Sequence, residues 1–199
     1  MGPALARRGD LGCPEARLIV LASTSPQRSA ILRQLGIPFE VVAPAYDEAP
    51  DGDPVEHAAG KARSVGGAGR PVLGVDTVVR CGGVQLGKPF GELDARRMLE
   101  ALSGTTHQVV SGLCLLGEGW EELRVETTHV RFRELASGDI DRYLASGEWE
   151  RRAGAYAIQG LGASLVERIE GDYLNVVGLP GSLLVGLLAA RFPGEYGFG

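Results

Sequence analysis

The chain has 199 residues, of which 44% are hydrophobic, 23% charged and 6% aromatic, with a net charge of −5. That is enough apolar material for one globular domain with a full core, and too acidic a balance for a protein that binds nucleic acid or an anionic membrane through its overall charge. Any anionic ligand must therefore be met by a local group of cations.

The three cysteines, Cys13, Cys81 and Cys114, have no metal-site or CxxC spacing, and no run approaches the roughly 18 apolar residues of a membrane span. Residues 1–16 carry arginines but no hydrophobic leader segment and are expected to be a loose extension. The chain reads as cytoplasmic, with free thiols.

Leu18 to Ala22 is an apolar run with the length of a buried strand. Ser23, Thr24 and Ser25 follow, and Pro26 opens a helical pattern, with Ser25 suited to the N-cap and Gly36 to the stop. Arg28 falls in the first turn, where the helix dipole disfavours a cation. Either an anion is shared between it and the free backbone amides, making a phosphate site, or it is an ordinary surface arginine. After a short strand, 39–43, comes Tyr46-Asp47-Glu48, whose carboxylates fit either a metal site or a solvated turn. Asp53 and Glu56 have capping-box spacing for a helix running to Val65. Gly60 inside that helix costs about 1 kcal/mol against alanine and points to close packing; Lys61 follows it.

Residues 71–79, PVLGVDTVV, read as a central strand interrupted by Asp76. A buried carboxylate must be paired, protonated or metal-bound. Thr77 points to the other face or to the strand edge. Cys81 to Val84 is a tight hairpin turn, and the returning strand ends at Gly87-Lys88-Pro89. A helix is expected over 93–102, strands over 105–116 and 123–132, with His107 and His129 as structural or surface residues, and a short helix over 140–145. In the glycine-rich loop from 153, Gln159 offers a primary amide that can donate and accept at once, as a nucleobase edge requires. Strands over 164–169 and 173–177 are expected to form a hairpin around Gly171-Asp172, with a last helix over 182–191 and a frayed tail, 194–199. No P-loop, dinucleotide fingerprint, HExxH or GxSxG pattern occurs.

Arg28, Lys61 and Lys88 with Asp76, Glu48 and Asp47 suit a polyphosphate substrate and a divalent ion. The cations neutralise phosphate oxygens, and the carboxylates hold Mg²⁺ or Mn²⁺ and orient a water.

Residues 18–190 resemble the Maf nucleotide pyrophosphatases. The resemblance rests on LASTSPQRSAIL at 21–32, Asp47-Glu48, Lys61-Ala62, GVDTVV at 74–79, GKP at 87–89, SGTTHQVVSG at 103–112, and AGAYAIQGLGA through NVVGLP at 153–180. It implies a single α/β domain over 17–193: a mixed central sheet with flanking helices and two lobes around a deep cleft, as in inosine triphosphatase-like proteins. It implies hydrolysis of nucleoside triphosphates to monophosphate and pyrophosphate with a divalent metal cation, and a homodimer. By that resemblance Asp76 is the proton acceptor and, with Glu48, a metal ligand. Ser23, Ser25 and Arg28 bind phosphate, and Glu48, Lys61 and Lys88 complete the charged site. Gln27, Thr77 and Gln159 bear on base preference, the dTTP/UTP branch being the closer one. Two departures from that branch are Gln27, where a basic residue is usual, and a shorter segment over 49–60. A nucleotide-binding regulator of division, and a purine house-cleaning enzyme, are the rival readings.

Overall fold

The computed structural model describes residues 17–49 and 52–198; the expected extension, 1–16, lies outside them. Seven strands form one sheet: β1 (Ile19–Ala22), β2 (Phe39–Val42), β3 (Val72–Cys81), β4 (Val84–Leu86), β5 (Thr106–Gly117), β6 (Trp120–Phe132) and β7 (Val166–Glu170). The order is β2-β1-β3-β5-β6-β7, with β4 also on β3. Pairing is parallel among β2, β1 and β3 and antiparallel from β3 onward, so the sheet is mixed. The helices are α1 (Pro26–Gln34), α2 (Pro54–Val65), α3 (Glu92–Leu102), α4 (Ser137–Ala145), α5 (Tyr173–Val177) and α6 (Gly181–Arg191).

Helix starts follow the expected chemistry. Ser25 caps α1, its hydroxyl accepting from the Arg28 amide, and Pro26 takes the first position. Asp53 Oδ1 accepts from the amides of Val55 and Glu56 at 2.7 and 3.3 Å, so one carboxylate satisfies two free donors of α2.

β3 is long enough to outrun its neighbour. β1 pairs with Val72 and Leu73, and β4 pairs with Val79 to Cys81. Between them, among the described residues, 74–78 have only β5 as a strand partner. That open edge lies just past the carboxyl end of parallel β1, the place where open α/β sheets receive ligands.

Two faces of β3 look in different directions because side chains alternate along a strand. Leu73 and Val75 join Leu113, Leu115, Leu184 and Leu188 in one apolar cluster. Farther along the same face Val79 joins Val109, Val130, Leu99 and Tyr143 in a second. These clusters are the cores of the two halves of the molecule. The opposite face is covered by α2 through Ala58, Ala59 and Ala62. Two glycines let that helix sit close. A Cβ on Gly74 would lie 2.0 Å from the Ala58 carbonyl oxygen, and one on Gly112 would lie 2.2 Å from that of Pro54. Gly112 is also the β5 residue paired with Asp76.

The structure departs from expectation in three places. Residues 173–177 are the helix α5, not the second strand of a hairpin. Asp172 caps it, its Oδ1 accepting from the Leu174 amide at 2.7 Å, and Asn175 turns inward to donate to Val109 O and Thr128 Oγ1, both at 3.1 Å. Residues 160–165 are 3₁₀ turns, so β7 begins only at Val166. In the tail that was expected to fray, over the described 194–198, Tyr196 is buried against the first core and stacks edge-on with Phe192.

Candidate active site

α2 presents His57 and Lys61, four residues apart and hence on one face, to the sheet surface from which Asp76 rises. Small residues around Asp76 leave room for them. The Lys61 ammonium lies 2.7 Å from Asp76 Oδ1 and 2.7 Å from Glu48 Oε1, bridging a strand carboxylate and a loop carboxylate. Lys61 and Asp76 are 4% and 7% exposed, so this is a buried pair. The other Asp76 oxygen, Oδ2, faces His57 Nδ1 at 3.4 Å. Glu48, His57 and Asp76 each offer a ligand atom within 4.8 Å of the others. Gly60 is where close packing was expected: a Cβ there would lie 2.1 Å from the ring of Tyr46.

Burial alone would raise the pKa of Asp76. The Lys61 ammonium, its hydrogen bond, and the charges of Arg28 and His57 outweigh burial and hold the carboxyl below the ordinary carboxylate range. It is ionised at neutral pH.

On the other face of β3, Arg28 reaches inward from α1. Its guanidinium donates to Gly178 O at 2.9 Å, Ser23 Oγ at 3.1 Å and Thr77 Oγ1 at 3.4 Å. Thr77 Oγ1 also shares a hydrogen bond with Ser111 Oγ at 2.8 Å. These contacts explain how a cation sits in the first turn of a helix: loop, strand and the end of α5 hold it. Desolvation lowers the Arg28 pKa, and the Asp76 and Glu48 carboxylates work against that shift. Ser25 Oγ, besides capping α1, donates to Gln27 Oε1 at 3.2 Å.

All of these groups except Ser111, Tyr46 and Gly60 line one cleft of about 880 Å³. Its walls come from both halves. Ser23 to Arg28 and the end of α5 form one wall, and Lys88, Phe90, Arg151, Arg152 and Gln159 stand in the other. Lys88 and Gln159 are exposed, and Lys88 makes no ion pair among the described residues. Thus every residue singled out as a site candidate, Ser23, Ser25, Gln27, Arg28, Glu48, Lys61, Asp76, Thr77, Lys88 and Gln159, borders the same space. Asp47 is not among the residues bordering it.

Sequence reading missed His57. Its signal was the four-residue spacing from Lys61, legible only once Asp76 was known to face that helix. It also missed Arg152, whose Nε is buried with no hydrogen-bond partner. His107, read as structural, is so: it shares a 2.9 Å hydrogen bond with Tyr156 Oη and packs edge-on against Phe132.

A mixed sheet with a deep cleft, lined by cations on two sides and by carboxylates that can hold a metal, defines a class of proteins that handle polyphosphates. Comparison with known proteins narrows this. The family described as Maf-like protein matches residues 18–191, and the chain belongs to that family. It is 43% identical over 181 residues to a dTTP/UTP pyrophosphatase of Alcanivorax borkumensis, covering 86% of this chain and 94% of that protein. It is 42% identical over 189 residues to one of Deinococcus radiodurans, covering 91% and 95%. An archaeal relative of the same description, from Thermococcus kodakarensis, is 45% identical over 171 residues, covering 82% and 91%.

Proposed function

We propose that the protein hydrolyses dTTP and UTP to the nucleoside monophosphate and pyrophosphate. The observation that carries this is the buried Asp76–Lys61–Glu48 cluster at the open edge of β3, across the sheet from Arg28, in a chain whose relatives carry that activity by name. One water is consumed, the anhydride bond between the α and β phosphoryl groups breaks, and pyrophosphate leaves.

Each residue has a role that follows from its setting. Asp76, ionised and fixed on a strand, orients the attacking water and takes its proton. Lys61 holds Asp76 and Glu48 at one separation, so that neither carboxylate must be reorganised during the reaction. Arg28, Ser23 and Ser25 meet phosphate oxygens from one wall and Lys88 from the other; the long, exposed side chain of Lys88 suits it to meet the charge that develops on the leaving group. Gln27 and Gln159 border the cleft where a base or sugar would lie and bear on preference. Thr77 acts on preference through Arg28, to which it is hydrogen-bonded.

The Glu48, His57 and Asp76 donor set fits a divalent cation, Mg²⁺ or Mn²⁺, held by Asp76 and Glu48. Such an ion supplies charge neutralisation at the phosphates and a more acidic water. Among the described residues no helix is long and apolar enough to cross a membrane. A cytoplasmic homodimer acting on free nucleotides is the setting this reading assigns.

Pyrophosphate release from a panel of canonical and modified nucleoside triphosphates, with Mg²⁺, Mn²⁺ and Co²⁺ in turn, tests the reading. Turnover of dTTP and UTP above the purine nucleotides is expected, and Asp76→Asn should reduce it at least about 100-fold while the protein stays folded. No release from any nucleotide, or full activity in Asp76→Asn, sinks it. Faster release from inosine or xanthosine triphosphate would move the protein to the purine class.

A further inference from the structure

We infer that His57 is a third metal ligand, and that it makes this site one that takes Mn²⁺ in preference to Mg²⁺. The inference deepens the pyrophosphatase reading by naming the ion.

The two oxygens of Asp76 have different neighbours. Oδ1 receives the Lys61 ammonium at 2.7 Å, whereas Oδ2 has no hydrogen-bond donor among the described residues and faces His57 Nδ1 at 3.4 Å. That separation is longer than an ordinary N–H···O hydrogen bond. It is close to the separation of two adjacent ligands on one octahedral ion: atoms each about 2.1 Å from a common centre lie about 3.0 Å apart at a right angle, so the two groups need close by only about 0.4 Å. Lys61 and a divalent ion thus need not compete, because each has its own oxygen.

The imidazole is held for this task. It is 5% exposed, in the second turn of the twelve-residue helix α2. Tyr46 packs edge-on against it, with ring centroids 5.9 Å apart. The backbone of Gly52 closes the other side, so near that a Cβ there would lie 2.1 Å from Nε2. A ring fixed in this way keeps Nδ1 aimed at Oδ2. Glu48 brings the third donor on a loop side chain that is 43% exposed; its Oε1 is taken by Lys61, and its second oxygen can serve the ion.

Two carboxylates alone are a hard, all-oxygen set that Mg²⁺ satisfies while keeping most of its waters. An imidazole nitrogen adds little for Mg²⁺, which strips its hydration shell reluctantly. It adds more for first-row transition ions, which accept nitrogen readily, and Mn²⁺ keeps the carboxylate affinity that the other two ligands require. An apolar side chain at position 57 would leave the carboxylates and Lys61 in place and remove this bias.

The test uses MnCl₂ with the nucleotide-free full chain. Pulsed electron paramagnetic resonance of bound Mn²⁺ on the unmodified protein should show ¹⁴N modulation from a coordinated imidazole; its absence overturns the inference without any variant. Titration by loss of the free-ion signal, with Mg²⁺ as competitor, should give at least about tenfold tighter binding of Mn²⁺. His57→Leu, and His57→Gln to guard against a folding defect, should remove the nitrogen signal and reduce Mn²⁺ affinity about tenfold or more, with Mg²⁺ affinity nearly unchanged. Unaltered Mn²⁺ affinity in a folded variant overturns it equally. A protein with the nitrogen signal but no nucleotide hydrolysis upholds the metal site and refutes the pyrophosphatase reading. One that hydrolyses dTTP but lacks the signal does the reverse.

Discussion

Replacing Lys61 with methionine should destabilise the protein by about 3 kcal/mol. The side chain is 5% exposed and its ammonium touches two carboxylate oxygens at 2.7 Å. Removing one partner of a buried ion pair costs about 3–5 kcal/mol, because the partner left behind keeps its charge without water or a counter-ion. Here the charge left behind is on Asp76, and Arg28 still offsets part of it, so the lower end of that range applies. For a chain of this size about 3 kcal/mol corresponds to a drop in Tm of about 6–12 °C. Urea unfolding and thermal scans in EDTA would measure it; the chelator matters because a divalent ion would replace the missing positive charge. The double variant Lys61→Met, Asp76→Asn removes the stranded charge and should regain about 2 kcal/mol relative to Lys61→Met. A loss below about 1 kcal/mol in the single variant, the level of an exposed ion pair, or a double variant no more stable than the single one, refutes the account of a buried and mutually dependent pair.

His107 carries a pH dependence of its own. Burial lowers its pKa from 6.5 to about 4, so between these values the unfolded chain binds a proton that the folded chain does not. Stability is full above pH 6.5 and falls by about 3 kcal/mol as pH drops to about 4; urea midpoints in His107→Gln should lose that slope. Gly112→Ala would place a Cβ 2.2 Å from the Pro54 carbonyl oxygen. It should cost about 1–3 kcal/mol or more and lower kcat along with stability, since α2 carries His57 and Lys61; wild-type Tm and kcat would contradict the close approach. Gln27→Arg adds a cation on the cleft wall beside Ser25 and should lower KM for nucleoside triphosphates severalfold, by more at low salt than at high; an unchanged KM means that position does not face phosphate.

Most of the elements were legible in the sequence because their causes are local. Ser25-Pro26 and Asp53-Pro54 start helices with their own side chains, alternating apolar residues mark β5 and β6, and Gly82-Gly83, both with positive φ, close a hairpin that needs that conformation twice. The 173–177 segment misled because YLNVV has the composition of a strand. Two tertiary facts decide for a helix there: the Asp172 cap, and the demand of Val109 O and Thr128 for the amide of Asn175. The tail misled in the same way, since three glycines say nothing of the pocket that receives Tyr196.

For the site, the sequence by itself determined which residues are costly to leave unpaired. Asp76 inside an apolar strand and Arg28 in the first turn of a helix both announced a partner, since an isolated charge cannot stay in such a place. Residue type also fixed what chemistry they could do. Only the tertiary structure decided which partner each one has. It set Lys61 rather than Arg28 against Asp76, tied Arg28 to Ser23, Thr77 and Gly178, and brought in His57. The reason is that partnership depends on which face of β3 a side chain leaves and on what covers that face. Those follow from β3 outrunning β1, and from two glycines, far apart in the chain, that let α2 come close.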